Sequence, residues 1–333
     1  MRSIRRLDQG GEKKGTYPMT EMESRQERFD AFTVRMAIQL AAPHTWPAAI
    51  LPCLIAVCAA SVFSEAVSIS LAIVLLAICI LMQSAVNTFN DYYDFVKGTD
   101  SLDDNVEKSD ATLVYNNVNP RTARNLALGF LAAAFVLGVY VIYYAGWIPL
   151  VIGIIGAFFV VVYSAGKTPI SYLPLGEAVS GIVMGGLIPL ACYQVLTGRL
   201  DFAVLLWAAP EMIGVGLIML TNNTCDREKD VESGRKTLPC LLGRNRALKL
   251  YHAALVVWVC AIAALCALFF GRGLIIIPFM LLASYPLLKA LFANPLVPAS
   301  RIGAMAQICN VNIALGAFYA AAIMANSTAA FVL

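Results

Sequence analysis

Residues 67–100 read VSISLAIVLLAICILMQSAVNTFNDYYDFVKGTD. The stretch up to about residue 90 is apolar and is long enough to span a hydrocarbon core, for which a helix needs about 20 residues. Its end then changes character within two turns. Asn87, Asp91 and Asp94 follow one another at i, i+4 and i+7, which places all three on one helical face. Carboxylates at the end of a membrane helix are costly and mark a functional pathway. The spacing therefore predicts a membrane-spanning helix whose last turns present an acidic face.

Outward from this segment, apolar runs of similar length predict helices near 46–64, 67–90, 125–144, 147–164, 176–197, 203–222, 249–270, 274–292 and 303–325. The expectation is an all-α, polytopic protein with about nine transmembrane helices, since barrel strands are shorter and alternate in polarity. Composition agrees: 59% of the 333 residues are hydrophobic and 14% charged, with a mean hydropathy of +0.73. A soluble domain of this size carries about 25% charged residues. Residues 1–35 are polar, lack the apolar centre of a signal peptide and read as a disordered tail, with the membrane domain occupying 36–333. In a nine-span arrangement 22 of the 24 Lys and Arg fall on one side, only Arg199 and Arg272 on the other. Basic residues stay cytoplasmic, so the N-terminus and the long charged loops are expected there, in a multi-pass protein of the cell inner membrane. The net charge of +3 is no nucleic-acid signature. The nine Cys form no C-x-x-C pair and read as small apolar packing residues, without metal or disulfide roles. Glu211, inside a predicted span, requires a partner or a place in the site.

A second acidic segment ends the sixth run. It reads Asn222-Asn223-Thr-Cys-Asp226-Arg227-Glu228-Lys229-Asp230, then Gly234-Arg235-Lys236-Thr237, with Asn223, Asp226 and Asp230 at i, i+3 and i+7. Mg²⁺ takes oxygen ligands and is held by one or two carboxylates together with substrate phosphates. Two facing clusters, Asn87/Asp91/Asp94 and Asn223/Asp226/Asp230, thus suit metal ions that bridge a diphosphate and neutralise it as it leaves. Lys167, Lys236, Arg235 and Arg227 are candidates to clamp the diphosphate oxygens. The faces of Tyr93, Tyr163 and Tyr172 are candidates to shield an allylic cation, and His44 to touch substrate. The expected ligands are Mg²⁺, a prenyl diphosphate and membrane lipid. A secondary transporter for an anionic metabolite is the alternative of another class, but its ionisable groups would lie near the midplane.

At these motifs the sequence resembles the UbiA superfamily of intramembrane prenyltransferases, and most of all its 1,4-dihydroxy-2-naphthoate polyprenyltransferase branch. The carrying residues are N-x-x-N-D-Y-Y-D-F-V-K-G-T-D from Asn87, N-N-x-x-D-x-x-x-D-x-x-x-G-R-K-T-L from Asn222, and the segment Tyr163–Tyr172 with Gly176 and Glu177. The resemblance implies nine helices, Asp91, Asp94, Asp226, Asp230 and Lys167 as catalytic residues, and transfer of a polyprenyl group to the naphthoate, with decarboxylation, in menaquinone synthesis. Gly98 stands where the benzoate-type and haem-type branches place a further Asp. Ala42-Pro43-His44-Thr45 stands where the naphthoate branch has Arg-Pro-Lys-Thr, and no Arg occurs near Asp110–Thr112. Acceptors such as 4-hydroxybenzoate, a haem or a chlorophyllide remain open on the same scaffold.

Overall fold

The computed structural model describes residues 29–98 and 112–333. Most of the expected tail, Asp100 and Asp110 lie outside the described residues. The chain forms α1 (Val34–Ala41), α2 (Pro47–Phe63), β1 (Ala66–Ser68), α3 (Ile69–Lys97), α4 (Thr112–Tyr115), α5 (Pro120–Ala145), α6 (Ile148–Ser164) and α7 (Gly176–Thr197). The second half contains α8 (Ala203–Trp207), α9 (Ala209–Cys225), α10 (Arg227–Glu232), α11 (Leu238–Leu242), α12 (Arg244–Phe269), α13 (Ile277–Ala293), α14 (Arg301–Met324) and β2 (Ala330–Val332).

The protein is a multi-pass membrane protein built of helices. Among the described residues six helices are long and apolar enough to cross a membrane: α3, α5, α7, α12, and α13 and α14 with the short turns before them. A seventh arises if α1 and α2, bent by 54° at their junction, count as one. Each of the nine expected segments falls on helix, yet α6 and α9 have only 17 residues, so length and composition alone do not give nine spans. The bend before α2 has a local cause. Ala42 adopts a left-handed conformation (φ 46°) that ends α1, and prolines at 43 and 47 open the next two segments without needing an amide donor.

The bundle is held by apolar side chains of α2, α7, α9, α12, α13 and α14, with Tyr251, Trp258 and Tyr319 fully buried at its centre. Helices α7 and α9 approach closely because α7 is small at the contact. A Cβ on Gly181 would lie 2.5 Å from the Met212 carbonyl oxygen, and one on Gly185 2.4 Å from the Met212 nitrogen. These glycines stand four apart, the spacing that lets membrane helices meet backbone to backbone, and a π-helical turn over Val183–Leu187 widens the helix there. Gly185→Ala is expected to destabilise the bundle by about 1–3 kcal/mol, the usual cost of overpacking. A lower thermal midpoint in detergent checks this, and an unchanged midpoint would show that the helices can separate at no cost. Glu211, at the start of α9, is fully buried, and neither of its carboxylate oxygens meets a hydrogen-bond partner among the described residues.

At the opposite end a satellite cluster of Leu40, Leu113, Val118 and Ala123 packs with Phe32, Met36, Tyr92 and Phe95. It fastens α1 and the short α4 to the end of α3. At the other face the segment after α14 pairs in parallel with β1, Ala66 opposite Ala330 and Ser68 opposite Val332.

Candidate active site

The C-terminal ends of α3 and α9 open into a single cavity of about 810 Å³. Its polar end is walled by Asn87, Asn90, Asp91 and Asp94 from α3, Asn222, Asn223 and Asp226 from α9 and its cap, and Lys229, Arg235 and Arg301. The remainder is lined by apolar residues of α2, α3, α5, α6, α7, α9 and α14.

Arg235 joins the two motifs. Its guanidinium lies 2.9 Å from Asp94 Oδ1 and 3.6 Å from Asp230 Oδ1, and it stacks on the Tyr172 ring at 4.6 Å from the centroid. Gly234 makes the placement possible: its positive φ of 76° ends the turn after α10, and the following amide, Arg235 N–H, donates to the Asp230 carbonyl. Burial pulls against the Arg235 charge, but Asp94 and Asp230 hold the guanidinium protonated above its usual range. Asp230, 1% exposed, also accepts from Thr237 Oγ1 at 3.0 Å. Burial pushes its carboxyl up to about 6 against the opposing pull of Arg235.

Arg301, from α14, does for Asp226 what Arg235 does for Asp94. Its Nε donates to Asp226 at 3.0 Å and its terminal nitrogen to Asn222 Oδ1 at 2.6 Å. The remaining motif residues fasten the site to its surroundings. Asp91, 4% exposed, accepts from the backbone amides of Thr112 (2.6 Å) and Leu113 (3.2 Å), capping α4 as well as lining the cavity. Asn90 donates to Asp94 and accepts from Ser164. Asn87 donates to the Ala41 carbonyl and Thr45, tying α3 to the bend before α2. Asn223 donates to Glu177 on α7 at 2.8 Å.

The expected residues divide on this geometry. Asn87, Asp91, Asp94, Asn223, Asp226, Arg235, Tyr163 and His44 line the cavity, and Asp230 stands behind it against Arg235. Lys167 and Lys236 are exposed and do not line it; Lys236 contributes its backbone amide to the Tyr172 carbonyl. Arg227 donates to the Pro239 carbonyl and pairs with Glu228, outside the cavity. Tyr93 and Tyr172 instead face Lys97, whose ammonium lies 5.4 and 5.0 Å from their ring centres. Lys167→Ala and Lys236→Ala are accordingly expected to change activity by no more than about twofold, as surface substitutions do. A larger rise in the apparent KM for the substrate of either variant would bring that lysine back into the site.

Arg301, Asn90, Asn222 and Lys229 are site residues that sequence reasoning left without a role. A signal was available for two of them: Asn90 stands four before Asp94, and Arg301 is a basic residue at a membrane helix end.

A bundle with two acidic helix ends facing one amphiphilic cavity is an arrangement for ionic headgroup chemistry inside a membrane. The chain belongs to the UbiA prenyltransferase family, whose model matches residues 49–311, and it is therefore a prenyltransferase. It is 36% identical over 224 residues to the 1,4-dihydroxy-2-naphthoate octaprenyltransferase of Bacillus subtilis (strain 168), a match covering 66% of this chain and 71% of that one. It is 30% identical over 181 residues to the UbiA prenyltransferase domain-containing protein 1 of Rattus norvegicus, covering 52% of this chain and 51% of that relative. A UbiA homolog from Archaeoglobus fulgidus bound to GPP and Mg²⁺ has the same fold, with a TM-score of 0.61 at 18% identity over 87% of this chain and 99% of that one.

Proposed function

We propose that the protein transfers a polyprenyl group from its diphosphate to 1,4-dihydroxy-2-naphthoate, in a reaction that depends on Mg²⁺ and yields a demethylmenaquinol. The observation that carries this reading is the single cavity with an oxygen-rich, arginine-flanked end and an apolar remainder, a shape and polarity that suit a prenyl diphosphate. The relative in Bacillus subtilis, named for the same acceptor, supports the choice of ring. So does Gly98, at the position where the benzoate-type branch has Asp.

The donor set fits Mg²⁺. It is all oxygen, drawn from Asp91, Asp94 and Asp226 with Asn87 and Asn223 beside them, and carboxylates with substrate phosphates are what this ion prefers. Bound there, Mg²⁺ supplies charge neutralisation to the diphosphate. The protein adds donors of its own. Arg235 Nε–H is buried without a hydrogen-bond partner among the described residues, and a diphosphate oxygen would satisfy it with a charge-assisted bond. In the transfer the allylic C–O bond breaks, diphosphate leaves, the ring carbon bonds to the allylic carbon and the carboxyl group departs as carbon dioxide. The apolar walls keep water from the cationic carbon, and the Tyr163 ring, on the cavity wall, offers it a face. The Tyr163 hydroxyl, buried and without a partner among the described residues, is free to meet a polar group of the acceptor. We place the polar end of the cavity, the N-terminus and residues 1–35 on the cytoplasmic side of the inner membrane, from the distribution of Lys and Arg.

The test is incubation of the purified protein in detergent with a prenyl diphosphate and each of several aromatic acceptors, followed by mass spectrometry. A prenylated naphthoquinol formed with Mg²⁺ and lost with EDTA is the expected result. Prenylated 4-hydroxybenzoate alone would overturn the acceptor, and full turnover in excess chelator would overturn the metal.

A further inference from the structure

We propose that Cys53, Cys79 and Cys192 form a binding site for one thiophilic metal ion in the wall of the cavity, separate from the carboxylate end. The three thiols come from three helices, α2, α3 and α7, and all three sulfurs lie within 4.8 Å of one another. The Sγ atoms of Cys53 and Cys192 are 3.8 Å apart. Two sulfurs bound to one zinc at about 2.3 Å sit about 3.8 Å apart at the tetrahedral angle, so this pair already has the spacing of two ligands. All three residues are buried, and Cys79 and Cys192 line the cavity, which gives an ion a route to them.

The chemistry selects the ion. Thiolates favour Zn²⁺, Cu⁺ and their heavier relatives and disfavour Mg²⁺. In an apolar wall a charged complex is costly. A divalent ion that displaces two thiol protons, with the third sulfur remaining a neutral thiol, leaves no net charge. Cys79 precedes Asp91 by twelve residues on α3, a rise of about 18 Å, so the two sites do not share ligands. An ion at the three sulfurs projects into the apolar part of the cavity and obstructs it. That consequence for turnover rests on the prenyl diphosphate reading above, whereas the binding itself does not.

The experiment uses Cd²⁺ as the probe on the full chain in detergent, without substrate. Thiolate-to-cadmium charge-transfer absorption in the ultraviolet reports sulfur ligation alone, whatever the carboxylates bind. The band is expected to saturate at one equivalent, to persist in Cys260→Ala and Asp226→Asn, and to vanish in Cys53→Ser and Cys192→Ser. The serine variants retain volume, and a wild-type melting temperature shows that they have folded. Absence of the band in the wild-type protein, or its survival when all three residues are serine, overturns the site. Cadmium is then expected to lower turnover at least tenfold in the wild-type protein, reversibly with a dithiol, relative to its effect on the triple serine variant. A saturated band with equal inhibition in both proteins overturns the obstruction. A saturated band in a protein that transfers no prenyl group under any condition upholds the site and refutes the proposed function instead.

Discussion

Arg235→Met is expected to lose both turnover and a large part of the protein's stability. The side chain sits between Asp94 and Asp230, and all three are largely buried. Removing one member of a buried pair leaves an uncompensated charge, at a cost of about 3–5 kcal/mol. Here two carboxylates lose their partner at once, although Asp94 retains the Asn90 amide and Asp230 the Thr237 hydroxyl. The measurement is the thermal midpoint in detergent together with the rate. Combining Arg235→Met with Asp94→Asn should return part of the stability and none of the activity, because the second change removes one of the two stranded charges and a proposed metal ligand together. A single variant as stable as the wild-type protein would show that water reaches this pair freely.

Asp226→Asn is expected to reduce turnover by about 100-fold or more while the protein stays folded. That loss corresponds to about 2.7 kcal/mol of transition-state stabilisation, at 1.36 kcal/mol per factor of ten. The substitution conserves volume and leaves the Asn222–Arg301 hydrogen bond in place, so the effect should fall on the rate and the Mg²⁺ requirement. Single-turnover kinetics across a Mg²⁺ titration would measure it. A near-wild-type rate at every Mg²⁺ concentration would remove Asp226 from the reaction.

The acidic faces were legible because helical periodicity turns spacing into geometry. Positions 87, 91 and 94 lie within α3, and the helix alone brings them to one side, whereas 223, 226 and 230 straddle the break between α9 and α10, with Asp226 capping both helices. The neutralising cations were less so. Arg235 reaches Asp94 from 141 residues away and Arg301 reaches Asp226 from 75 residues away, and no local period encodes such a contact. Lys167 is a candidate clamp as a basic residue in the family-like segment Tyr163–Tyr172, but it is exposed and does not line the cavity. The cysteines show the same limit: nothing in the spacing of positions 53, 79 and 192 suggests that three helices bring them together. The helices themselves were found where the apolar runs lie, whereas the break before α2 and the starts of α6 and α9 fall at prolines that a hydropathy count does not register.

The docking of α14 gives the order of synthesis a role in the chemistry. This helix packs against α2 and α9 and supplies Arg301 to Asp226, and the strand that follows it pairs with the one after α2. Chains emerge N-terminus first, so both acidic motifs reach the membrane before the guanidinium that neutralises Asp226. Until that last helix arrives the second motif lacks the Arg301 guanidinium that bonds Asp226 and Asn222. A chain interrupted before residue 301 therefore carries both acidic motifs but not the Arg301 counter-charge.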